Sequence, residues 1–205
     1  MRSTRPERED SVATYAEHSR RTQRALLDAG RTLFTDLDYA HTTIEQIARR
    51  AGVTVGAFHH HYPEKTALFA AVFDEVCQEY VHAVQTHMQM AEGDTWERFM
   101  ASLEVWLEQV EHPSVWRIVY ADAPTVLDWA GVRRRAPDFR FLHTVLARLR
   151  AEGVIQPLPL DPCVHVVWAM CATAARYIAQ AQKRTVARQE MTVTLGRLLD
   201  GLRRM

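Results

Sequence analysis

Apolar residues recur every three or four positions along almost the whole chain, and this spacing constrains the fold more than any other feature of the sequence. Leu26, Ala29 and Leu33 follow the spacing near the N-terminus, and Leu195 and Leu198 follow it near the C-terminus. Such a repeat places apolar side chains on one face of an α-helix. The 205 residues contain no convincing alternation with a period of two and no internal repeat. The sequence therefore predicts an all-α fold.

Capping residues and glycines divide the N-terminal part of this pattern into helices. A first helix is predicted to begin at Ser19, after a charged and flexible arm over residues 1–18. Thr43 is a good N-cap for a second helix, and Gln46 stands at the position that completes a capping box. Gly52 is predicted to end that helix.

A third helix and a fourth, much longer one follow. Thr54 caps the third helix, which is predicted over Val55 to Tyr62 because Pro63 disfavours its continuation. The fourth helix is predicted over about 64–91 from its apolar stripe. The second and third helices, joined by the tight turn AGVT, form a helix-turn-helix candidate.

Later helices are predicted to start at Thr95, at Ser114 and at the Asp161-Pro162 pair, where a cap precedes a proline at the first helical position. The stretches 121–124 and 130–137 are predicted to be irregular. The helix after Pro162 is apolar most of the way round. It is therefore expected to be covered on two sides, by its own body and by a partner subunit.

The composition excludes several classes of protein. Equal numbers of basic and acidic residues, 25 of each, make the formal net charge zero, so any nucleic-acid contact must come from a local arrangement. Cys77, Cys163 and Cys171 lack the spacing of a disulfide framework or a metal site. No uncharged apolar run reaches about 18 residues, and the N-terminus lacks the apolar stretch of a signal peptide. We expect a cytoplasmic protein without a membrane segment.

The residues TTIEQIARRAGVTVGAFHHHYPEKTAL, positions 42–68, closely resemble the DNA-binding signature of the TetR family. The run DAPTVLDW at 122–129 and the ending DGLRR resemble one common type of TetR C-terminal body. The resemblance implies about nine helices, a homodimer, a ligand cavity in the body, and repression that a ligand usually relieves. It also implies three parts: an arm over 1–18, a DNA-binding domain over 19–65, and a ligand-binding and dimerisation domain over 66–205.

The family motif assigns roles to individual residues of this chain. The implied base contacts are made by Val55, Gly56, Ala57 and His59. The implied phosphate contacts are made by Thr43, Thr54, His61 and Lys65. Small residues at the start of the recognition helix also let its backbone approach base edges in the major groove, whereas Phe58 is expected in the core.

Two positions depart from the family motif. His59 stands where the family usually has tyrosine, so a phosphate contact there would depend on pH. Asp38 stands where the motif has glycine, although aspartate tolerates the left-handed conformation. The run His59-His60-His61 is not expected to chelate one metal ion, because consecutive helical residues point about 100° apart.

Aromatic residues of the body supply the material for an apolar ligand cavity. The candidates are Trp96, Met100, Trp106, Trp116, Tyr120, Trp129, Trp168 and Tyr177. Small and leucine residues of the last two helices are the candidates for an isologous dimer interface, namely Ala172, Ala175, Leu195, Leu198 and Leu202. The expected partners are a palindromic double-stranded DNA operator, a second copy of the chain and an unidentified small effector, with no cofactor and no metal.

Two other functions remain open at this stage. A small all-α enzyme would use the body cavity, with Asp122, His112 or His143 as acid or base. The chain contains no GxSxG, HExxH, GxGxxG or P-loop spelling, and an enzyme leaves the helix-turn-helix spelling unexplained, so we expect no enzymatic activity. A structural DNA binder without an effector is the second alternative. The body aromatics argue only weakly against it.

Overall fold

The computed structural model describes the backbone of residues 6–204, and the side chains of residues 16–128 and 130–204. Within these residues the chain forms ten α-helices and one π-helical segment, and its β-structure is limited to an isolated bridge between Ile155 and Arg203. The all-α prediction is confirmed. None of the described helices is both long enough and apolar enough to cross a membrane.

The first compact unit of the chain extends to Val72 and the second begins at Phe73, within α4. The helices of the N-terminal part are α1 (Pro6–Leu37), α2 (Ile44–Ala51), α3 (Val55–His61) and α4 (Lys65–Met90). The predicted flexible arm is wrong for residues 6–18, whose backbone is helical, and residues 1–5 lie outside the described residues. The prediction began the helix at the first residues of the apolar stripe, and the helical backbone continues before them.

The second unit is built from six further α-helices and the π-helical segment. They are α5 (Thr95–Val110), the π-helical segment (Val115–Asp122), α6 (Ala123–Val126), α7 (Asp128–Arg135), α8 (Pro137–Ala151), α9 (Leu160–Gln180) and α10 (Arg184–Asp200).

Three predicted boundaries of this unit are wrong. The cap of α5 is Asp94 rather than Thr95, because the Asp94 carboxylate accepts a 2.8 Å hydrogen bond from the backbone N–H of Glu97. Helix α9 begins at Leu160, so Asp161 lies in its first turn. The stretches predicted to be irregular, 121–124 and 130–137, are mostly helical, since packing in the body outweighs their weak local propensity.

An aromatic and aliphatic core holds the first unit together. Leu26, Phe34, Ile47, Phe58 and Phe69 are fully buried. The rings of Phe34 and Phe69 meet edge to face, with centroids 5.2 Å apart. Burying each such side chain contributes about 1.5–3 kcal/mol. Phe58 anchors one side of α3 in this core. The anchoring fixes the direction in which the opposite side of α3 points.

Candidate nucleic-acid interface and body cavity

Local caps fix both ends of α2 and the start of α3. The hydroxyl oxygen of Thr43 accepts from the N–H of Gln46 at 3.3 Å, and the Gln46 side chain accepts from the N–H of Thr43 at 2.7 Å, so the predicted capping box is confirmed. Gly52 ends α2 with φ 69°, a left-handed conformation that favours glycine. Thr54 then caps α3 by accepting from the N–H of Ala57 at 3.1 Å.

The face of α3 opposite Phe58 is exposed, and it carries Gly56, which has no side chain, and His60 one turn further on. Val55, Gly56 and His59 are exposed, and Ala57 is half-buried. A Cβ atom added at Gly56 would meet only the Thr54 hydroxyl, at 3.8 Å. The protein's own packing therefore does not require glycine at this position, and glycine weakens a helix by about 0.5–1 kcal/mol relative to alanine.

Two exposed arginines of the same region were missed by the sequence-based assignment. Arg49 and Arg50 lie in the last turn of α2, and both side chains are exposed. Basic residues are common at solvated helix C-termini, because they interact favourably with the helix dipole. The position of these two arginines in the sequence therefore did not indicate a DNA contact.

The three consecutive histidines differ in their surroundings. His59 and His60 are exposed, and Nδ1 of His59 lies 3.2 Å from the carbonyl oxygen of Pro63. His61 is half-buried, and desolvation, followed by the nearby His60, lowers the pKa of His61. Within the described parts of the chain, no three His, Cys, Asp or Glu side chains are grouped to hold a metal ion.

DNA affinity is expected to rise by up to about tenfold between pH 8 and pH 6, since several exposed charge pairs each contribute at most about 1 kcal/mol. A histidine side chain gains positive charge as the pH falls, which strengthens its attraction to a phosphate. Because the pKa of His61 is lowered, its contribution is absent at pH 8 and develops only towards the acid end of this window. Fluorescence anisotropy at constant ionic strength measures the effect. Replacing His59 and His61 with Gln should abolish it, and a dependence that survives both replacements would contradict the assignment.

Lys65 makes contacts within the protein that the sequence did not indicate. Its ammonium group donates 2.7 Å hydrogen bonds to the carbonyl oxygens of Tyr39 and Thr42, and it lies 4.1 Å from the centroid of the Tyr39 ring. Partial burial lowers the pKa of Lys65. Asp38 begins the same loop with φ 75°, the left-handed conformation that aspartate tolerates. Lys65 therefore holds the loop that leads into α2 and has one N–H left for an outside partner.

Replacing Lys65 with Ala is expected to lower the free energy of unfolding by about 1–3 kcal/mol, because two carbonyl groups lose a charged donor. DNA affinity should also fall by about the same factor for every DNA sequence, since a phosphate contact reads no bases. Thermal melts and anisotropy against two unrelated duplexes measure the two effects. The exposed Lys183, changed to Ala, serves as the control. A changed base preference together with an unchanged salt dependence would refute the phosphate contact.

A cavity in the second unit is lined by two of the predicted aromatic residues, Trp106 and Trp168. Its wall also includes Val81 and Val84 of α4, and Asp138 at the start of α8. The cavity volume is about 60 Å³. A second, smaller cavity shares Asp138 and Trp168 with it and is also lined by Tyr120 of the π-helical segment. The structure thus brings Trp106, Tyr120 and Trp168 to adjoining cavities.

The other aromatic candidates lie elsewhere. Trp96 is buried against Phe99, with ring centroids 5.8 Å apart, and Trp116 and Met100 are half-buried. Tyr177 is 51% exposed and lies on the surface, so its assignment to a cavity is wrong. The side chain of Trp129 lies outside the described residues.

Sequence reasoning missed Asp138, because an aspartate next to a proline at the start of a helix is expected from helix capping alone. Only the packing of α8 against α9 places its carboxylate at the cavity.

The residues predicted for the dimer interface divide into two groups. Ala172, Ala175 and Leu195 are buried within the protomer, and Leu195 also lines the open groove beside Leu198. Leu202 is half-buried, and Leu198 is 57% exposed. The remaining exposed apolar residues of α9 and α10 include Val166, Tyr177 and Val193.

Two family models match the chain. Residues 26–72 match bacterial regulatory proteins of the tetR family, and residues 96–202 match the tetracyclin repressor-like C-terminal domain. These matches coincide with the helix-turn-helix region and with most of the second unit.

Individual relatives agree with the family models. The HTH-type transcriptional regulator BetI of Cronobacter sakazakii is 32% identical over 83 residues, which are 40% of this chain and 41% of that protein. The A-factor receptor protein of Streptomyces griseus is 41% identical over 54 residues, which are 26% of this chain and 20% of that protein. The matched segments therefore span less than half the length of either relative.

A solved structure covers the whole chain. The crystal structure of a TetR-family transcriptional regulator from Pectobacterium atrosepticum is 28% identical, with a TM-score of 0.73, and the match covers 99% of each chain. The C-terminal family model alone extends over more than half of the present chain. With a capped helix-turn-helix in one unit and a cavity in the other, this chain belongs to the TetR family of transcriptional regulators.

Proposed function

We propose that the chain is a repressor that binds a palindromic DNA operator as a homodimer and is released when a small apolar molecule enters the body cavity. The observation that carries the proposal is the exposed face of α3, where Gly56 has no packing neighbour that would require a glycine. A glycine on an exposed helix face lets the helix backbone come close to base edges in the major groove.

Groups around α3 are suited to contact phosphates. The hydroxyl oxygens of Thr43 and Thr54 accept hydrogen bonds from backbone N–H groups, which leaves each hydroxyl hydrogen able to donate to a phosphate oxygen. Exposed Arg49 and Arg50 add positive charge at the end of α2. We assign these four side chains, together with His61 and Lys65, to the DNA backbone, and Val55, Gly56, Ala57 and His59 to the bases.

The second copy of the chain is proposed to cover the outer face of α9 and α10. Val166, Met170 and Thr173 of α9 and Leu198 of α10 line an open, mainly apolar groove on that face. Val166 is 60% exposed, and an isolated protomer gains nothing from this apolar exposure. A twofold axis through the groove would bring the groove residues of one protomer against the same residues of its partner.

Helix α4 offers a physical route from the cavity to the DNA-binding part of the chain. It carries Lys65 at its first residue and Val81 and Val84 at the cavity. The cavity volume of about 60 Å³ is well below the roughly 150 Å³ of a cavity that binds benzene. A ligand of ordinary size must therefore displace lining helices. Movement of α4 would disturb the Lys65 hydrogen bonds to Tyr39 and Thr42.

A mobility-shift assay against the DNA that flanks the protein's own gene tests the proposal. We expect a sequence-specific complex that weakens as salt rises, because phosphate contacts release counterions. Addition of extracted cell metabolites should dissociate the complex. A catalytic turnover without DNA binding would favour an enzyme, and a complex that no metabolite fraction affects would favour a structural DNA binder.

A further inference from the structure

One side chain gives the body cavity its charge. Among the described residues that line the cavity, Asp138 is the ionisable group that can be charged at neutral pH, since burial raises the pKa of the Cys171 thiol to about 12. The Ser102 hydroxyl already donates to the carbonyl oxygen of Phe99 at 2.7 Å. The rest of the wall is aliphatic or aromatic, including Trp106 and Trp168. Asp138 therefore supplies the carboxylate of a cavity wall whose other described residues are almost all apolar.

Neutral donors hold the Asp138 carboxylate in place. The backbone N–H of Phe139 donates to Oδ1 at 2.9 Å, and Nε1 of Trp168 donates to Oδ2 at 3.2 Å. In the described part of the chain, no Lys, Arg or His lies within the 4.0 Å of an ion pair with Asp138, and Arg176 lines the adjoining cavity without pairing with it. Desolvation raises the pKa of the Asp138 carboxyl.

Two tyrosine hydroxyl groups add polar atoms to the surroundings of Asp138. The hydroxyl groups of Tyr80 and Tyr120 are buried, and neither completes a hydrogen bond of good geometry in the described structure. Tyr80 nevertheless lies close enough to Asp138 to lower the pKa of that carboxyl, against the larger effect of desolvation. Buried polar groups without partners are rare in native proteins and call for an explanation. A ligand or a water molecule bound at the Asp138 carboxylate would supply the missing hydrogen-bond partner.

We propose that the cavity binds an organic cation, an aromatic molecule whose protonated amine pairs with Asp138 and lies against Trp106 and Trp168. The inference rests on the proposed function of the cavity as an effector site, and it narrows the effector from a small apolar molecule to an aromatic one that carries a protonated amine. An apolar cavity with a lone carboxylate disfavours anions and leaves the carboxylate uncompensated when the ligand is neutral. A cation restores the missing charge, and an aromatic ring of the wall attracts it further where the cation lies over the face of that ring.

Matched sets of small aromatic compounds test the ligand class. Benzyl, 2-phenylethyl and 1-naphthylmethyl compounds are each used as the amine, the alcohol and the carboxylic acid, and binding to the full chain is measured by calorimetry at neutral pH. In at least one set the amine is expected to bind about tenfold or more tightly than the alcohol, with the carboxylate weakest. The absence of an amine preference in all three sets overturns the proposal, whatever the behaviour of any variant.

Asp138→Asn tests the residue, because asparagine keeps the size and an acceptor oxygen but removes the charge. The preference for amine over alcohol should disappear, so that the two affinities become about equal. The affinity for the alcohol should change by less than about twofold. Asp161→Asn, at an exposed position in the first turn of α9, is the matched control and should keep the preference. A preference that survives in Asp138→Asn assigns the cation to another group and overturns the role of Asp138.

DNA binding by the same preparations separates this inference from the proposed function. Operator binding without any amine preference refutes the proposed ligand class and is still consistent with the proposed repressor function. An amine preference without operator binding refutes the repressor and leaves the cation site intact.

Discussion

Replacing Leu198 with Arg is expected to convert the dimer into monomers that no longer hold the operator. Leu198 is 57% exposed in the protomer and lines the apolar groove between α9 and α10. Covering this face by a second copy would bury the new guanidinium without a partner, at a cost on the order of 3–5 kcal/mol at each symmetry-related position. The dimer dissociation constant should therefore rise by at least about a thousandfold. Sedimentation equilibrium measures it directly.

The loss of DNA binding follows from geometry. A monomer reaches one half-site, so it loses the avidity of the second, which contributes about 10²–10⁴-fold to binding. Met90→Arg is a matched control, because Met90 is a 79% exposed apolar residue at the end of α4, away from the groove. Ala175→Arg should unfold the body rather than split the dimer, since Ala175 is fully buried. If Leu198→Arg stays dimeric with full operator affinity, the interface lies on another face.

The dimer residues show what periodicity can and cannot predict. The sequence correctly indicated that α9 is apolar on opposite sides, because hydrophobic spacing reports the faces of a helix. It could not tell which apolar side packs within the protomer. Small residues such as Ala172 and Ala175 suited either side equally well, and the structure places them in the core. The choice between two apolar faces is made by tertiary packing, which a single helix does not encode.

Features that depend on a few neighbouring residues were predicted in part. The capping box of Thr43 and Gln46 is present as predicted, whereas the cap of α5 is Asp94 rather than Thr95. Asp138 needed the packing of α8 and α9, and Lys65 needed a loop 23 to 26 residues away in sequence. The helix over Asp128–Arg135 lacked a clear apolar stripe as well. Long-range contacts therefore determine the part of the site that the sequence alone leaves open.

Replacing Gly56 with Leu is expected to weaken operator binding by about a hundredfold or more while leaving the fold intact. A Cβ atom at this position meets only the Thr54 hydroxyl, at 3.8 Å, so the larger side chain extends into solvent in the free protein. Leucine should even stabilise α3 by up to about 1 kcal/mol, because glycine is among the weakest helix formers. In the complex, the same side chain would separate the helix from the base edges. Losing contacts of about 1–3 kcal/mol in each half-site gives the expected factor.

Thermal melts and anisotropy separate the two effects, and Gly56→Ala should give an intermediate loss of affinity. Glu104→Leu, which places an exposed leucine on α5 of the body, is the control and should leave operator binding unchanged. The dependence of affinity on salt should stay nearly the same in Gly56→Ala, since the cationic phosphate contacts proposed for Arg49, Arg50 and Lys65 are still made. If Gly56→Leu binds the operator as tightly as the unmodified chain, α3 does not approach the bases at this residue, because a leucine side chain leaves no room for such an approach.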